Sequence, residues 1–194
     1  MPDSVPQPSN DELARFADAI RSRRSIDLFE PDPPGTERLL EAIELARWAP
    51  NHRLTQPWRF YVLGRQTADA IVDLAVEVER AAKGEQAAEA RRRRWSAIPA
   101  FFVVTCARSD DELQQREDYA ACCCAVQNLM LYMWQCGLGV KWTTGAVTRE
   151  PRFFEIVGID PRAEILVGLF WYGIPRAVPS QKRRDVGEIV VLRP

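Results

Sequence analysis

The chain has 194 residues, 46% of them hydrophobic, enough to bury one ordinary core, and its 26 basic and 27 acidic side chains nearly cancel. That balance gives no global field to draw the protein onto nucleic acid or an anionic membrane, so any charged site has to be local. The longest apolar stretches, such as Ile165 to Tyr172, fall well short of the ~20 residues that span a bilayer, and the acidic, Pro-rich start resembles no secretory signal, which points to a cytoplasmic protein with no membrane partner.

Residues 1–9 are rich in Pro, Ser and Asp and are expected to fray as a flexible N-terminus, leaving residues 10–194 as a single domain. Asn10 is suited to cap a helix over residues 11–23, with Leu13, Phe16, Ala17 and Ile20 on its apolar face. The Pro-rich stretch Glu30 to Gly35 forbids regular structure, and a second helix is predicted over 36–48, stopped by Pro50. A loop, 51–57, leads to a first strand over 58–63, aromatic and β-branched between Pro57 and Gly64. Residues 66–94 read as helix broken at Lys83-Gly84, and 64–98 is expected to be an exposed, mobile helical excursion.

The nearly continuous apolar run 100–107 suits a buried strand, and 110–136 a long helix whose later half is apolar almost all round. A turn and strand follow over 137–145, a short helix over 150–157, a second buried strand over 163–173 and a last short strand over 188–192 with no adjacent partner. Strands separated by helices in this way indicate an α+β domain around one mixed sheet. No Gly-rich dinucleotide fingerprint follows any strand. Five cysteines, Cys106, Cys122, Cys123, Cys124 and Cys136, form an odd set that argues against a disulfide framework. The three consecutive ones point about 100° apart on a helix and match no zinc spacing, so no metal site is expected.

Five segments carry groups with chemistry in them. Arg23-Arg24-Ser25, just past the first helix, offers guanidinium forks and a hydroxyl that suit a phosphate ester, or else a solvated helix end. Lys182-Arg183-Arg184 lies in a Pro-rich connector, where alternation in an extended chain would let Lys182 and Arg184 converge on one anion, with Arg183 on the other side. The loop from Ala49 to Trp58 holds the one histidine, His52, and Gly137 to Gly145 brings small residues and backbone amides beside Trp142. Arg91 to Arg94 could meet a nicotinamide 2′-phosphate or form a solvated helix face.

The order of these segments resembles the FMN-dependent nitroreductase family, closest to its small bacterial members. It is carried by Arg-Arg-Ser after an N-terminal helix, Ala-Arg-Trp-Ala-Pro-Asn-His-Arg-Leu-Thr-Gln-Pro-Trp-Arg-Phe, Gln-Asn-Leu and then Gly-Leu-Gly on the long helix, and Trp-Thr-Thr-Gly. The likeness runs from Phe16 to Leu192 and is most specific over Trp48 to Phe60. It implies an α+β, nitroreductase-like homodimer with two interfacial FMN sites and an exchanged C-terminal strand. It further implies that Arg23, Arg24 and Ser25 hold phosphate, ribityl chain and pyrimidine ring, and that Lys182 and Arg184 bind the phosphate. Trp142, Thr143 and Thr144 would line the isoalloxazine, with Trp48 and His52 reaching it from the other subunit. The chain departs from many members at Asp27, where they carry a base, and from larger members at Leu54, where they carry Asn.

The activity so implied is ping-pong transfer of hydride from NADH or NADPH through FMN to a small flat acceptor such as a nitroaromatic or quinone. FMN would carry the chemistry, with no side chain obligatory as acid or base. Related folds also carry out flavin-dependent dehalogenation, dehydrogenation of cyclic dipeptides and fragmentation of FMN itself, and a non-catalytic flavin-binding protein is a further alternative.

Overall fold

The computed structural model describes residues 7–193. The first six residues of the expected flexible N-terminus lie outside this range. Helix α1 (Asn10–Ser22) is capped by Ser9, one residue earlier than the expected Asn10. The Ser9 hydroxyl accepts from the Glu12 backbone N–H at 3.3 Å, and the Glu12 carboxylate accepts from the Ser9 backbone N–H at 2.8 Å. This reciprocal capping box satisfies donors that a helix start leaves open.

Helix α2 (Glu37–Ala46) stops two residues before Trp48. Trp48 and Ala49 instead close turns onto Leu45 and Ala46, because Pro50 disfavours helical geometry in the residue before it. Four strands follow in the order β1-β2-β4-β3: β1 (Trp58–Val62), β2 (Ala100–Ala107), β3 (Gly139–Thr143) and β4 (Glu164–Gly173). All three pairings are antiparallel. The mixed character expected of the sheet reduces to one parallel bridge, Ser25 to Val140.

Alternation along the strands sends side chains to opposite layers. On one face, Phe101, Val103, Leu169 and Trp171 meet α3 (Arg65–Lys83), α4 (Glu85–Ser96) and α6 (Pro151–Val157). On the other, Phe102, Val104, Phe170 and Tyr172 meet α2 and α5 (Glu112–Gln135). Phe102 and Phe170 face each other in register and stack at 4.7 Å, both fully buried. Burying each such ring contributes roughly 1.5–3 kcal/mol. The buried Glu164 carboxylate ties three strands together, accepting from Arg59 at 2.7 Å, from Tyr61 at 2.8 Å and from Thr105.

Residues 64–98 form α3 and α4, which lie against each other. Ile71, Leu74 and Val76 of α3 and Ala88 and Trp95 of α4 are buried in the core. The four arginines 91–94 are each paired with a carboxylate, of Glu79, Asp73, Glu89 and Asp27 respectively.

After α1 the chain runs along the outer edge of β3, where the Ile26 N–H donates to the Val140 carbonyl at 3.2 Å. Gly139 makes this approach possible, since a Cβ there would lie 2.4 Å from Ile26 Cγ1. The segment then crosses the chain leaving β4, with the Arg176 N–H donating to Leu28 O at 3.0 Å. The strand expected over 188–192 is absent from this single chain. A 3-10 turn at Val186–Glu188 stands at its start, and Ile189 to Leu192 are exposed without a ladder partner. A lone edge segment has nothing to pair with until another strand supplies donors and acceptors. Among the described residues, no helix is long and apolar enough to cross a membrane.

Candidate functional site

The C-terminus of α1 and the edge of β3 bring cations together. Arg23 is half-buried, and its Nη1 is buried with no hydrogen-bond partner. Burial, followed by the charges of Arg183 and Arg24, holds its guanidinium below the ordinary arginine range. A buried donor left open beside like charges is costly unless an anion completes it. The arrangement fits a phosphate, which would meet the open donor and relieve the repulsion.

Arg24 is turned partly to the helix end, where its Nη1 donates to the carbonyls of Arg21 at 2.5 Å and Arg23 at 2.9 Å. Ser25 is exposed at the bridge to Val140. Among the tail cations, the one whose charge is felt at Arg23 is Arg183, the residue that alternation sets opposite Lys182 and Arg184. Its Nη1 donates to Gln181 Oε1 at 2.8 Å and to the Lys182 carbonyl at 3.4 Å, both within the connector. Lys182 and Arg184 are exposed.

On β3, neighbouring side chains take different parts. Trp142 packs into the sheet: its Nε1 donates to Val167 O at 2.9 Å and its ring lies 5.4 Å from that of Phe170. Gly168 makes room for it, as a Cβ there would lie 2.2 Å from the indole nitrogen. Thr143 faces the other layer and lines a cavity of about 130 Å³ with Lys141, Gly145, Arg94, Trp95 and Trp171, while Thr144 is exposed. Lys141 Nζ sits 4.8 Å from the centre of the Trp171 ring and pairs with Asp27. Asp27 also accepts from Arg94 Nη2 at 2.8 Å. Partial burial opposes its charge, but the Lys141 hydrogen bond and the charges of Lys141 and Arg94 prevail and hold the carboxyl below the usual carboxylate range.

Trp48 and His52 lie elsewhere, in the loop that enters β1. That loop borders an open hollow of about 340 Å³ lined by Trp48, Ala49, Pro50, Asn51, Leu54 and Trp58. Trp48 is 73% exposed, and its Nε1 donates to Glu44 Oε1 at 3.2 Å. His52 is exposed, with Nδ1 3.4 Å from Glu117 Oε2. The loop is strained: Arg53, Leu54 and Gln56 have φ of 59°, 51° and 47°, a region that costs a non-glycine residue about 1–2 kcal/mol.

Because β1 and β3 are opposite edges of the sheet, about 14 Å apart at three strand spacings, one chain does not bring Trp48 and His52 to Thr143. The ten residues singled out in the sequence therefore fall into two groups, one around the α1 end, β3 and the tail, the other on the β1 loop. Sequence reasoning missed the Asp27, Lys141 and Arg94 cluster, which joins residues 27, 94 and 141. It also missed Gln114 and Asp118, polar members of the buried α5 stripe that continues through Ala121, Cys122 and Ala125. Helical spacing was the signal that could have found them. Among the described residues, no group of three or more His, Cys, Asp or Glu could hold a metal ion.

Antiparallel strands between two helical layers, with a cluster of arginines at one sheet edge, make this an α+β domain. The sequence pattern of the Nitroreductase family matches residues 20–174, and the chain belongs to that family of oxidoreductases. It is 29% identical over 171 residues to YfhC of Bacillus subtilis (strain 168), named as a candidate NAD(P)H nitroreductase, with 86% of this chain and 88% of that relative covered. The structure of a nitroreductase-like family protein from Bacillus cereus superposes with a TM-score of 0.81 at 29% identity, covering 98% of this chain and 99% of that one. A candidate nitroreductase from Desulfovibrio desulfuricans, crystallised with FMN, superposes with a TM-score of 0.73 at 24% identity over 96% of this chain and 99% of that one. At that identity the likeness shows the fold.

Proposed function

We propose that this protein is a cytoplasmic, homodimeric FMN-dependent oxidoreductase that takes hydride from NADH or NADPH and passes it to a small flat acceptor such as a nitroaromatic or quinone. The observation that carries this reading is the buried, unpartnered Nη1 of Arg23 beside the charges of Arg24 and Arg183. The FMN-bound relative of the same fold and the name of the Bacillus subtilis relative support the choice of cofactor and donor.

FMN, when bound, would supply the redox chemistry that ping-pong transfer of hydride from donor to acceptor requires. Arg23 and Arg24, with the tail cations Lys182, Arg183 and Arg184, hold the phosphate, and Ser25 holds the chain that follows it. Thr143 and Thr144 line the ring with their backbone, and Trp142 keeps that backbone in place through its bond to Val167. Lys141 and Arg94 would supply positive charge that favours a more electron-rich cofactor, and Asp27 would moderate that charge. Trp48 and His52 of a second copy close the site against water, and donor and acceptor use the remaining face in turn.

The second copy has exposed apolar surface to cover. Leu13, Phe16 and Ile20 form a stripe on α1 that is 51%, 63% and 46% exposed, and the tail from Ile189 to Leu192 adds more. Apolar area of this kind on a small protein marks an interface. The test is to purify the protein, record its visible spectrum and molar mass, and add NADH or NADPH without air. A yellow dimer that is bleached by one of the nucleotides is expected. A colourless protein that takes up no added FMN would overturn the reading, and a yellow one that neither nucleotide bleaches would reduce it to flavin binding.

A further inference from the structure

The loop that presents Trp48 and His52 is held in its strained shape by a clamp from α5. Asp118 is 4% exposed, and the donors to its carboxylate are neutral: Thr55 Oγ1 donates to Oδ1 at 2.5 Å, and Gln114 Nε2 donates to the same oxygen at 2.9 Å. A carboxylate is rarely buried without a cation to compensate it, and here its bonds reach into the loop. From Thr55 the network continues outward. Asn51 Nδ2 donates to Thr55 Oγ1 at 3.0 Å, and Asn51 Oδ1 accepts from the Gln56 N–H at 2.6 Å. The bonds bracket the left-handed residues Arg53, Leu54 and Gln56. One turn of the same helix supplies Glu117, 3.4 Å from His52 Nδ1.

We infer that Asp118, acting through Thr55, is a positioning residue that sets the Trp48 and His52 loop for the cofactor site of a second copy. The inference rests on the flavin reading above for its consequence, and on the geometry alone for the clamp. Backbone in the left-handed region persists only where its surroundings over-determine it, and within this row of four the Thr55 hydroxyl reaches a buried side chain, Asp118. Glu117 stands on the Nδ1 side of His52, at 3.4 Å. The clamp thus orders the loop before any partner arrives, which lowers the entropy lost on binding.

The experiment uses the full-length protein with Thr55→Val, which removes the donating hydroxyl at an exposed position, and Thr55→Ser, which restores it. Two readouts are taken: the rate of trypsin cleavage after Arg53 in FMN-free protein, and FMN affinity by fluorescence quenching. For Thr55→Val, cleavage is expected to rise and FMN affinity to fall about ten-fold, the scale of one lost hydrogen bond to a charged group, while Thr55→Ser returns both towards wild type. Unchanged cleavage in Thr55→Val would overturn the clamp. Faster cleavage with wild-type FMN affinity would overturn its role at the cofactor. Wild-type protein that binds no FMN would instead overturn the flavin reading, and the cleavage arm would still judge the clamp.

Discussion

Arg94 donates to Asp27 at 2.8 Å, joining the last turn of α4 to the segment that follows α1 across 67 positions of sequence. Lys141 holds the same carboxylate oxygen from β3, so one acidic side chain fastens a helix, a strand and an edge segment together. Arg94 also lies 5.7 Å from the centre of the Trp171 ring, which Lys141 approaches as well. Two cations thus approach one aromatic ring, and Asp27 lessens their repulsion.

The Asp27 carboxyl is held below the usual carboxylate range, because the Lys141 hydrogen bond and the Lys141 and Arg94 charges outweigh partial burial. Its stabilising contribution is therefore complete above the unfolded value of about 3.9 and is lost as pH falls through the lower folded value. Asp27→Asn should lower the melting temperature at neutral pH, and the gap to wild type should close as the pH is taken down through the carboxylate range. Thermal melts of both proteins across that range check this, and a gap that stays constant would contradict it.

Gly139 and Gly145 flank the same strand but should respond differently to a methyl group. A Cβ at Gly139 would lie 2.4 Å from Ile26 Cγ1, whereas at Gly145 the nearest atom, Thr143 Oγ1, is 3.7 Å away. Gly139→Ala should cost about 1–3 kcal/mol by overpacking and push the Ser25 segment off β3, weakening FMN binding as well. Gly145→Ala should stay within about 0.5 kcal/mol of wild type. Denaturant titration with FMN binding on the same samples measures both.

The tail cations offer a sharper contrast. Alternation alone makes Lys182 and Arg184 the phosphate contacts and Arg183 silent, but Arg183 is the one whose charge reaches Arg23. Arg183→Ala should therefore weaken FMN binding by about ten-fold or more. Binding titrations of Arg183→Ala and of the double change Lys182→Ala with Arg184→Ala decide between the two. Wild-type affinity in Arg183→Ala would restore the alternation account.

Much of the architecture was legible because strand and helix periods survive in the sequence. The run from Ala100 to Ala107 is the observed β2 without change, and the break at Gly84 is where α3 gives way to α4 with φ of 84°. Ends were less legible, because caps depend on side-chain reach: Ser9 with Glu12 outcompetes Asn10, and Pro50 shortens α2. Motif singled out the candidate residues, but not how they meet. Local pattern put Trp142, Thr143 and Arg23 on the page, but it could not show that Trp142 is fastened to Val167, nor that Asp27 would find Arg94 and Lys141. Those contacts join residues far apart in sequence, and only the folded sheet supplies them. Ile189 to Leu192 stay unpaired in one chain, since their β propensity needs a partner edge that one chain does not offer.

The most direct test of the account compares FMN with riboflavin, which lacks the phosphate, on wild type and Arg23→Ala by fluorescence quenching. Each charge-assisted hydrogen bond to a phosphate contributes about 1.5–3 kcal/mol, and Arg23 carries the open buried donor. Wild type should bind FMN far more tightly than riboflavin. Arg23→Ala should lose about ten- to a hundred-fold in FMN affinity while its weak riboflavin binding stays much the same. Equal affinity of wild type for the two flavins, or an Arg23→Ala protein that binds FMN as wild type does, would contradict the account.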